Sequence, residues 1–131
     1  MISFIQIILV LIHIESGGND FAVGDDGAAY GCLQMHADYV HDAAEYVGAD
    51  WKHTDAFDRQ TSIDIFLAYM SRYCTEERLG RPISMQDIVR IHNGGPNGWK
   101  KESTEKYYEL FLSTLNQIQE HEASRYREST N

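Results

Sequence analysis

The chain has 131 residues, which is enough for one domain with a single hydrophobic core and without metal or disulfide support. Its 20 acidic residues outnumber its 11 lysines and arginines, so the formal net charge at pH 7 is −9. A surface of this charge repels other polyanions at long range, which argues against nucleic acid as a partner.

The first segment, residues 2–14, is an almost unbroken run of apolar side chains. This pattern predicts a helix that is apolar nearly all round and therefore buried. The run is too short to cross a bilayer, contains Ser3, Gln6 and His13, and lacks the basic start and small-residue cleavage site of a signal peptide. We therefore expect a first core helix and no membrane insertion.

Glu15 follows this helix directly. A carboxyl group at the end of a buried helix loses hydration, which disfavours its charged form and suits a general acid. Asp25 and Asp26 come next, in the polar turn between Gly24 and Gly27, where a carboxylate stays hydrated and ionised. Two carboxyl groups in opposite environments are what glycoside hydrolysis uses. The alternative is that Glu15 faces water and the two aspartates only form a turn.

Short and glycine-rich sequence on both sides of this turn predicts a small irregular hairpin over residues 19–33. Its two arms are residues 21–23 and 28–30. Folding the second arm back would bring Asp25 or Asp26 across from the end of the Glu15 helix.

Four further helices are predicted by their apolar spacing. Residues 37–46 form a short amphipathic helix, and residues 58–79 form the longest helix and the centre of the core, ended by Gly80 and Pro82. Residues 84–91 begin with a cap, in which Ser84 is followed three residues later by Asp87. Residues 104–119 carry a regular apolar face made of Tyr107, Leu110, Phe111, Thr114, Leu115 and Ile118.

Residues 92–96, His-Asn-Gly-Gly-Pro, predict a sharp turn after the fourth helix. Residues 120–131 are polar and mixed in charge, which is typical of a frayed tail. We therefore divide the chain into a catalytic domain, residues 1–119, and a C-terminal tail, residues 120–131.

Two cysteines, Cys32 and Cys74, are too few for a disulfide framework and indicate buried thiols in a reducing compartment, or at most one bridge. No motif supports Cys32 as a nucleophile. The six histidines are scattered, His36 and His41 alone do not make a site, and the sequence has no ligand spacing for a metal and no sign of a cofactor.

Two stretches resemble a known family. ESGGND with AVGDDGAAYGCLQM, over residues 15–35, is similar to the active-site stretch of the lysozyme superfamily. RIHNGGPNGW, residues 90–99, resembles the signature loop of the invertebrate-type, destabilase-like lysozymes. DWK at residues 50–52, YMSRY at 69–73 and TEKYYELF at 104–111 are similar in order and spacing, so the resemblance extends over roughly residues 11–111.

The resemblance implies a mainly α fold of the α+β lysozyme-like kind, with a small β-hairpin beside the active-site cleft. It implies a muramidase that cleaves the β-1,4 bond between N-acetylmuramic acid and N-acetylglucosamine in peptidoglycan, with Glu15 as general acid and Asp25 as nucleophile or stabiliser. Asp25 stands two residues before a glycine, as the family's aspartate does, and Asp26 is the reserve candidate. The substrate-binding residues expected with them are Asp26, Gln34, His92, Asn93, Gly94 and Tyr107.

Three alternatives stay open at this point. A lytic transglycosylase would use Glu15 without a catalytic aspartate, an isopeptidase activity is reported for some relatives, and a non-catalytic glycan-binding domain would need neither carboxyl group. We expect a monomer that binds peptidoglycan glycan strands.

The family is cysteine-rich and secreted, and this chain departs from it in its two cysteines and in lacking a recognisable signal peptide. These departures predict synthesis in the cytoplasm of a bacterium or a phage-infected host, with action on the cell wall after release. A bacterial wall-remodelling enzyme whose signal peptide has been removed fits nearly as well as a phage lysis enzyme.

Overall fold

The computed structural model describes residues 2–130. Within this range the chain forms six α-helices and one two-stranded antiparallel sheet, so the expected mainly helical α+β architecture with a small β-hairpin is confirmed. The helices are α1 (Phe4–Ser16), α2 (Ala37–Val47), α3 (Arg59–Tyr73), α4 (Glu76–Leu79), α5 (Met85–Gly94) and α6 (Glu105–Thr130), and the strands are β1 (Val23–Gly24) and β2 (Ala29–Tyr30).

The core lies between α3 and its neighbours. Helix α3 packs against α2 and α5, and α6 packs along α1 and α5. Large side chains from several of these elements are completely buried, among them Leu11, Leu33, Ile65, Phe66, Ile91 and Phe111. Among residues 2–130, no helix combines the length and the apolar character needed to cross a membrane.

Helix α1 begins at a capping box between Ser3 and Gln6 and ends at Gly17, which adopts the left-handed conformation (φ 62°) typical of a helix C-cap. The expectation that this helix is buried on all sides is wrong. Ile5 is 69% exposed and Leu9 is 54% exposed, because α5 and α6 cover only one side of the helix.

The predicted long helix over residues 58–79 is interrupted. Helix α3 ends at Tyr73, and the hydroxyl of Thr75 accepts a hydrogen bond from the backbone N–H of Arg78 at the start of α4. A threonine that caps the next turn in this way competes with continuation of the preceding helix. The prediction that residues 58–79 form the longest helix is also wrong, since α6 is the longest of the described helices at 26 residues.

The other two helix ends differ from the prediction as well. Helix α5 continues through His92 and Asn93 to Gly94, so these residues form its last turn instead of a loop. Helix α6 continues past residue 119 to Thr130 instead of fraying, although nearly all side chains beyond Ile118 are exposed. The division of the chain at residue 119 stays a prediction.

The apolar face of α6 agrees with its predicted spacing at five of six positions. Phe111 and Thr114 are buried, and Tyr107, Leu115 and Ile118 pack against the core. Leu110 is instead 49% exposed.

Both cysteines are free and buried. Burial raises the pKa of the Cys74 thiol to about 11 and raises the pKa of the Cys32 thiol as well, because a thiolate is poorly solvated in an apolar interior. Neither thiol has the thiolate character that a nucleophile requires.

A buried ion pair fixes the start of α5. The Asp87 carboxylate accepts two hydrogen bonds of 2.8 Å from the Arg81 guanidinium, and the backbone N–H and hydroxyl of Ser84 donate to the same carboxylate at 2.8 and 3.1 Å. Burial raises the pKa of Asp87, but the bonds from Arg81 and Ser84 lower it more, so the net pKa lies below the usual range. The capping box predicted from Ser84 and Asp87 is confirmed.

This pair gives the first prediction. Because the folded-state pKa of Asp87 is lowered, its stabilisation is present above the ordinary aspartate pKa of about 3.9 and is lost as pH falls through the folded value. Asp87→Asn should lower the free energy of unfolding by about 2 kcal/mol at pH 7, which is less than the roughly 3–5 kcal/mol for a fully buried pair because Arg81 is half exposed. Denaturant unfolding across pH measures this difference.

The difference between Asp87→Asn and wild type should shrink as pH falls below about 4, because the carboxylate of the unfolded chain gains its proton first and that of the folded protein only at a lower pH. Asp64→Asn is the matched control, since Asp64 is an exposed aspartate on α3. A pH-independent difference would contradict the assignment of the stabilisation to the ionised carboxylate.

Candidate active site

A cleft of about 600 Å³ opens between the end of α1, the hairpin turn, the start of α2 and the last turn of α5. It is lined by residues from every one of these elements and from α3, namely Glu15, Asp25, Gln34, His36, Asp38, Tyr39, Asp42, Tyr69, His92, Asn93, Gly95 and Pro96.

Glu15 projects from the last turn of α1, and its side chain is 19% exposed. The hydroxyl of Tyr107 on α6 donates a hydrogen bond of 3.1 Å to Glu15 Oε1. Burial and the neighbouring carboxylate both raise the pKa of Tyr107 well above its usual range, so the phenol keeps the proton that it donates. One oxygen of Glu15 is therefore held by α6, and Oε2 lies 3.8 Å from the His92 ring.

His92 is the buried polar side chain beside Glu15. Its Nε2 lies 3.1 Å from the carbonyl of Leu33, and its Nδ1 lies 3.0 Å from the hydroxyl of Tyr39. A carbonyl can only accept, so these partners assign the hydrogen to Nε2 and make Nδ1 the acceptor for Tyr39. Burial raises the pKa of Tyr39 well above its usual range, which keeps its hydroxyl a donor.

Asp25 lies in a turn of left-handed backbone between the two strands. Asp25, Asp26 and Gly27 have φ angles of 49°, 54° and 95°, and the strands on either side pair Val23 with Tyr30 and Gly24 with Ala29. Aspartate is one of the few residues other than glycine that tolerate this conformation. The Asp25 carboxylate lies 2.7 Å from Nε2 of His36 and remains 69% exposed.

The side chain of Gln34 stabilises the hairpin by hydrogen bonds to its backbone. Its side-chain Nε2 donates to the carbonyls of Ala22 at 3.2 Å and Gly31 at 3.0 Å. Gly31 needs its φ of +84° and its missing side chain, because a Cβ there would lie 1.9 Å from the carbonyl oxygen of Ala56. The hairpin is therefore held at a fixed distance from the 3₁₀ turn at His53–Phe57.

The cleft brings together five of the eight residues predicted for the site. Glu15, Asp25, Gln34, His92 and Asn93 all line it. Asp26, Gly94 and Tyr107 are outside its lining.

Each of these three has another place. Asp26 is exposed on the same turn, Gly94 packs closely against Thr104, and Tyr107 bonds to Glu15 from behind.

Seven lining residues were not among those predicted for the site, namely His36, Asp38, Tyr39, Asp42, Tyr69, Gly95 and Pro96. Asp38 and Asp42 are four residues apart on α2 and so share one face of that helix, which is a signal that could have found them. His36 has no such signal, because its contact with Asp25 is made across the hairpin.

The cleft is acidic. Four carboxylate residues line it, together with two histidines, and its lining contains no lysine or arginine. Asp42 is partly engaged, since the Tyr73 hydroxyl donates to it at 3.1 Å. Among residues 2–130 there is no cluster of three or more histidine, cysteine, aspartate or glutamate side chains that could hold a metal ion.

Comparison with known proteins identifies the family. An invertebrate-type lysozyme of Ruditapes philippinarum is 34% identical over 106 residues, which cover 79% of this chain and 75% of that protein. The chain belongs to the invertebrate-type lysozymes. It is therefore a glycoside hydrolase. A lysozyme of Magallana gigas is 32% identical over 76% of this chain and 71% of that protein, and lysozyme 1 of Crassostrea virginica is 34% identical over 79% of this chain and 55% of that protein.

Solved structures of the family agree. The crystal structure of Tapes japonica lysozyme matches with a TM-score of 0.66 and 32% identity, covering 81% of this chain and 85% of that one. Inhibitor-bound lysozyme from Meretrix lusoria matches with a TM-score of 0.70 and 28% identity, covering 86% and 89%. No family model matches the chain.

These relatives correct one expectation. They are lysozymes of bivalve molluscs, which points away from the cytoplasm of a bacterium or a phage-infected host. The expectation failed because few cysteines show only that a fold is stable without disulfides. They do not identify the compartment in which the protein works.

The contact between Tyr107 and Glu15 gives the second prediction. Tyr107→Phe removes the only donor described for Oε1 among residues 2–130 while keeping the ring, so Glu15 should lose its fixed rotamer. We expect kcat to fall about tenfold, with a loss of about 1 kcal/mol in the free energy of unfolding. Wall turbidity assays and denaturant unfolding measure the two effects.

Tyr108→Phe is the control on the same helix, because Tyr108 packs beside Phe111 and does not line the cleft. It should leave kcat within about twofold of wild type. An equal loss of activity in both variants would mean that α6 packing, and not the bond to Glu15, supports the enzyme.

Proposed function

We propose that this lysozyme hydrolyses the β-1,4 bond between N-acetylmuramic acid and N-acetylglucosamine in peptidoglycan, with Glu15 as general acid and Asp25 as nucleophile or electrostatic stabiliser. The observation that carries the proposal is the placement of both side chains in one cleft in opposite environments. Glu15 is largely buried against Tyr107 and His92, whereas Asp25 is exposed on a polar turn.

The two carboxyl groups divide the reaction between them. Glu15 gives a proton to the glycosidic oxygen as the bond to the leaving sugar breaks. Because Tyr107 holds Oε1, Oε2 on the His92 side carries the transferable proton. Asp25 stabilises the positive charge that develops on the sugar ring, or forms a bond to it, and Glu15 then activates the water that completes hydrolysis.

The remaining lining residues bind sugar. Asn93 is exposed on the last turn of α5 and can pair its amide with an acetamido group. Gln34 uses Nε2 to hold the hairpin, so Oε1 is its group for a sugar hydroxyl or N–H.

Asp26 remains the reserve carboxylate. Gly94 allows the end of α5 to pack closely against Thr104, where a larger residue would not fit. Tyr107 contacts Glu15 and does not contact the substrate.

The third prediction concerns the carboxyl groups. Glu15→Gln should lower kcat by at least about 100-fold with the fold intact, because the amide has the same shape but cannot deliver a proton. Asp25→Asn should cause a large loss, and Asp26→Asn should stay within about threefold of wild type, since Asp26 lies outside the cleft lining. Turbidity loss of purified peptidoglycan, with circular dichroism as a folding check, measures these effects.

Mass spectrometry of the released muropeptides separates hydrolysis from its alternative. Reducing muramic ends support the proposal, whereas anhydro ends would show a lytic transglycosylase. Near wild-type lysis by folded Glu15→Gln would falsify the assignment of the acid.

The negative net charge of the protein gives the fourth prediction. The protein carries a net charge of −9 and the bacterial wall is anionic, so added salt should screen their repulsion. Raising the salt concentration from roughly 10 to 100 mM at fixed pH should increase the rate of wall lysis about twofold, since the Debye length falls from about 30 to 10 Å. A neutral chito-oligosaccharide substrate is the control and should show no such increase. A steady fall in wall lysis from the lowest salt concentration would contradict the electrostatic argument.

A further inference from the structure

His36 makes the closest contact to the proposed second carboxylate. Its Nε2 lies 2.7 Å from Asp25 Oδ2, a distance typical of a charge-assisted hydrogen bond. Both residues line the cleft, and they come from different elements, since Asp25 is in the hairpin turn and His36 directly precedes α2.

The backbone that carries His36 is firmly held. The preceding residue, Met35, is buried and exchanges two backbone hydrogen bonds with Tyr30, at 2.9 and 3.0 Å. The His53 ring, stacked on Tyr30 at 3.7 Å, lies 2.8 Å from the Met35 carbonyl. The backbone carbonyl of His36 also accepts the first bond of α2, from the N–H of Val40.

The turn that carries Asp25 is more exposed to solvent. It consists of three consecutive residues with positive φ, and its side chains are exposed. A carboxylate on such a turn can adopt several rotamers in water, and a bond from a rigid neighbour selects one of them.

The pair has little to contribute to folding. Its side chains are 53% and 69% exposed, and charged pairs this open to solvent contribute little to stability. The fold therefore depends little on this contact, which lies in the lining of the cleft.

We propose that His36 is a positioning residue for the reaction, which holds the Asp25 carboxylate in the orientation that meets the sugar ring. The inference rests on the proposed role of Asp25. His36 does not touch substrate in this scheme. The Nε2–H of His36 donates to the Asp25 carboxylate, which removes the entropic cost of orienting that carboxylate before the transition state is reached.

The fifth prediction tests this scheme with kcat and KM on a soluble peptidoglycan glycan oligomer. His36→Ala should lower kcat about tenfold and change KM by less than about twofold, because orientation of Asp25 matters in the transition state and not in binding. His36→Gln should recover kcat to within about threefold of wild type, since the amide keeps a donor.

His41→Ala is the matched control. His41 is also an exposed histidine next to a carboxylate, 3.6 Å from Glu45, but it lies outside the cleft lining. It should leave kcat within about twofold of wild type. Thermal unfolding of all variants should show midpoints within a few degrees of wild type, as expected for exposed pairs.

Asp25→Asn and the double variant with His36→Ala complete the design. If His36 acts through Asp25, the double variant should be no slower than Asp25→Asn alone. A further tenfold loss in the double variant, or equal activity of His36→Ala and His41→Ala while Asp25→Asn is impaired, would overturn the inference, as would a large fall in the unfolding midpoint of His36→Ala. A near wild-type Asp25→Asn would instead overturn the proposed role of Asp25.

Discussion

The shape of the cleft depends on the hydrogen bonds that the buried imidazole of His92 makes. His92 is in the last turn of α5, its hydrogen-bond partners are Leu33 and Tyr39, and its ring lies beside Glu15 of α1. A buried polar group without partners costs about 1–3 kcal/mol, so α2, α5 and the segment after the hairpin can approach one another in only a few ways. This constraint sets the width of the cleft behind the glutamate.

The same short segment, residues 32–34, makes hydrogen bonds to three other parts of the chain. The Ser16 hydroxyl at the end of α1 donates to the Cys32 carbonyl at 2.8 Å, His92 bonds to Leu33, and Gln34 holds the hairpin. The end of α1, which carries Glu15, and the hairpin, which carries Asp25, are therefore both hydrogen-bonded to this one segment. The apolar core could form with several arrangements of these loops, but the polar bonds to this segment select one.

Much of the fold could be predicted from local patterns. The buried face of α2 consists of Tyr39, Val40, Ala43 and Ala44, as its spacing predicts, and the cap of α5 agrees with Ser84 and Asp87. Glu15 was also singled out by its local environment, whereas the choice of Asp25 over Asp26 needed the family resemblance. These features depend on residues within one or two turns of each other, which is the range over which sequence patterns carry information.

The features that could not be predicted depend on contacts between distant residues. Helix α5 continues through His92 because the His92 ring is hydrogen-bonded to the carbonyl of Leu33, which is 59 residues earlier in the chain. The role of Tyr107 depends on Glu15, 92 residues earlier in the chain, and the pairing of His36 depends on how the hairpin folds. The break between α3 and α4 is the exception, since Thr75 is a local capping signal that apolar periodicity concealed.

The two buried thiols have a practical consequence. A thiol reacts with maleimides and similar reagents through its thiolate, and burial both hides Cys32 and Cys74 and keeps them protonated. A cysteine placed at an exposed position beside the cleft but outside its lining, such as Ala28 after the hairpin turn, would then react much faster than either native cysteine. Fluorescent reporters of glycan binding can therefore be attached at chosen positions without first replacing the native cysteines, whose small side chains fill the core.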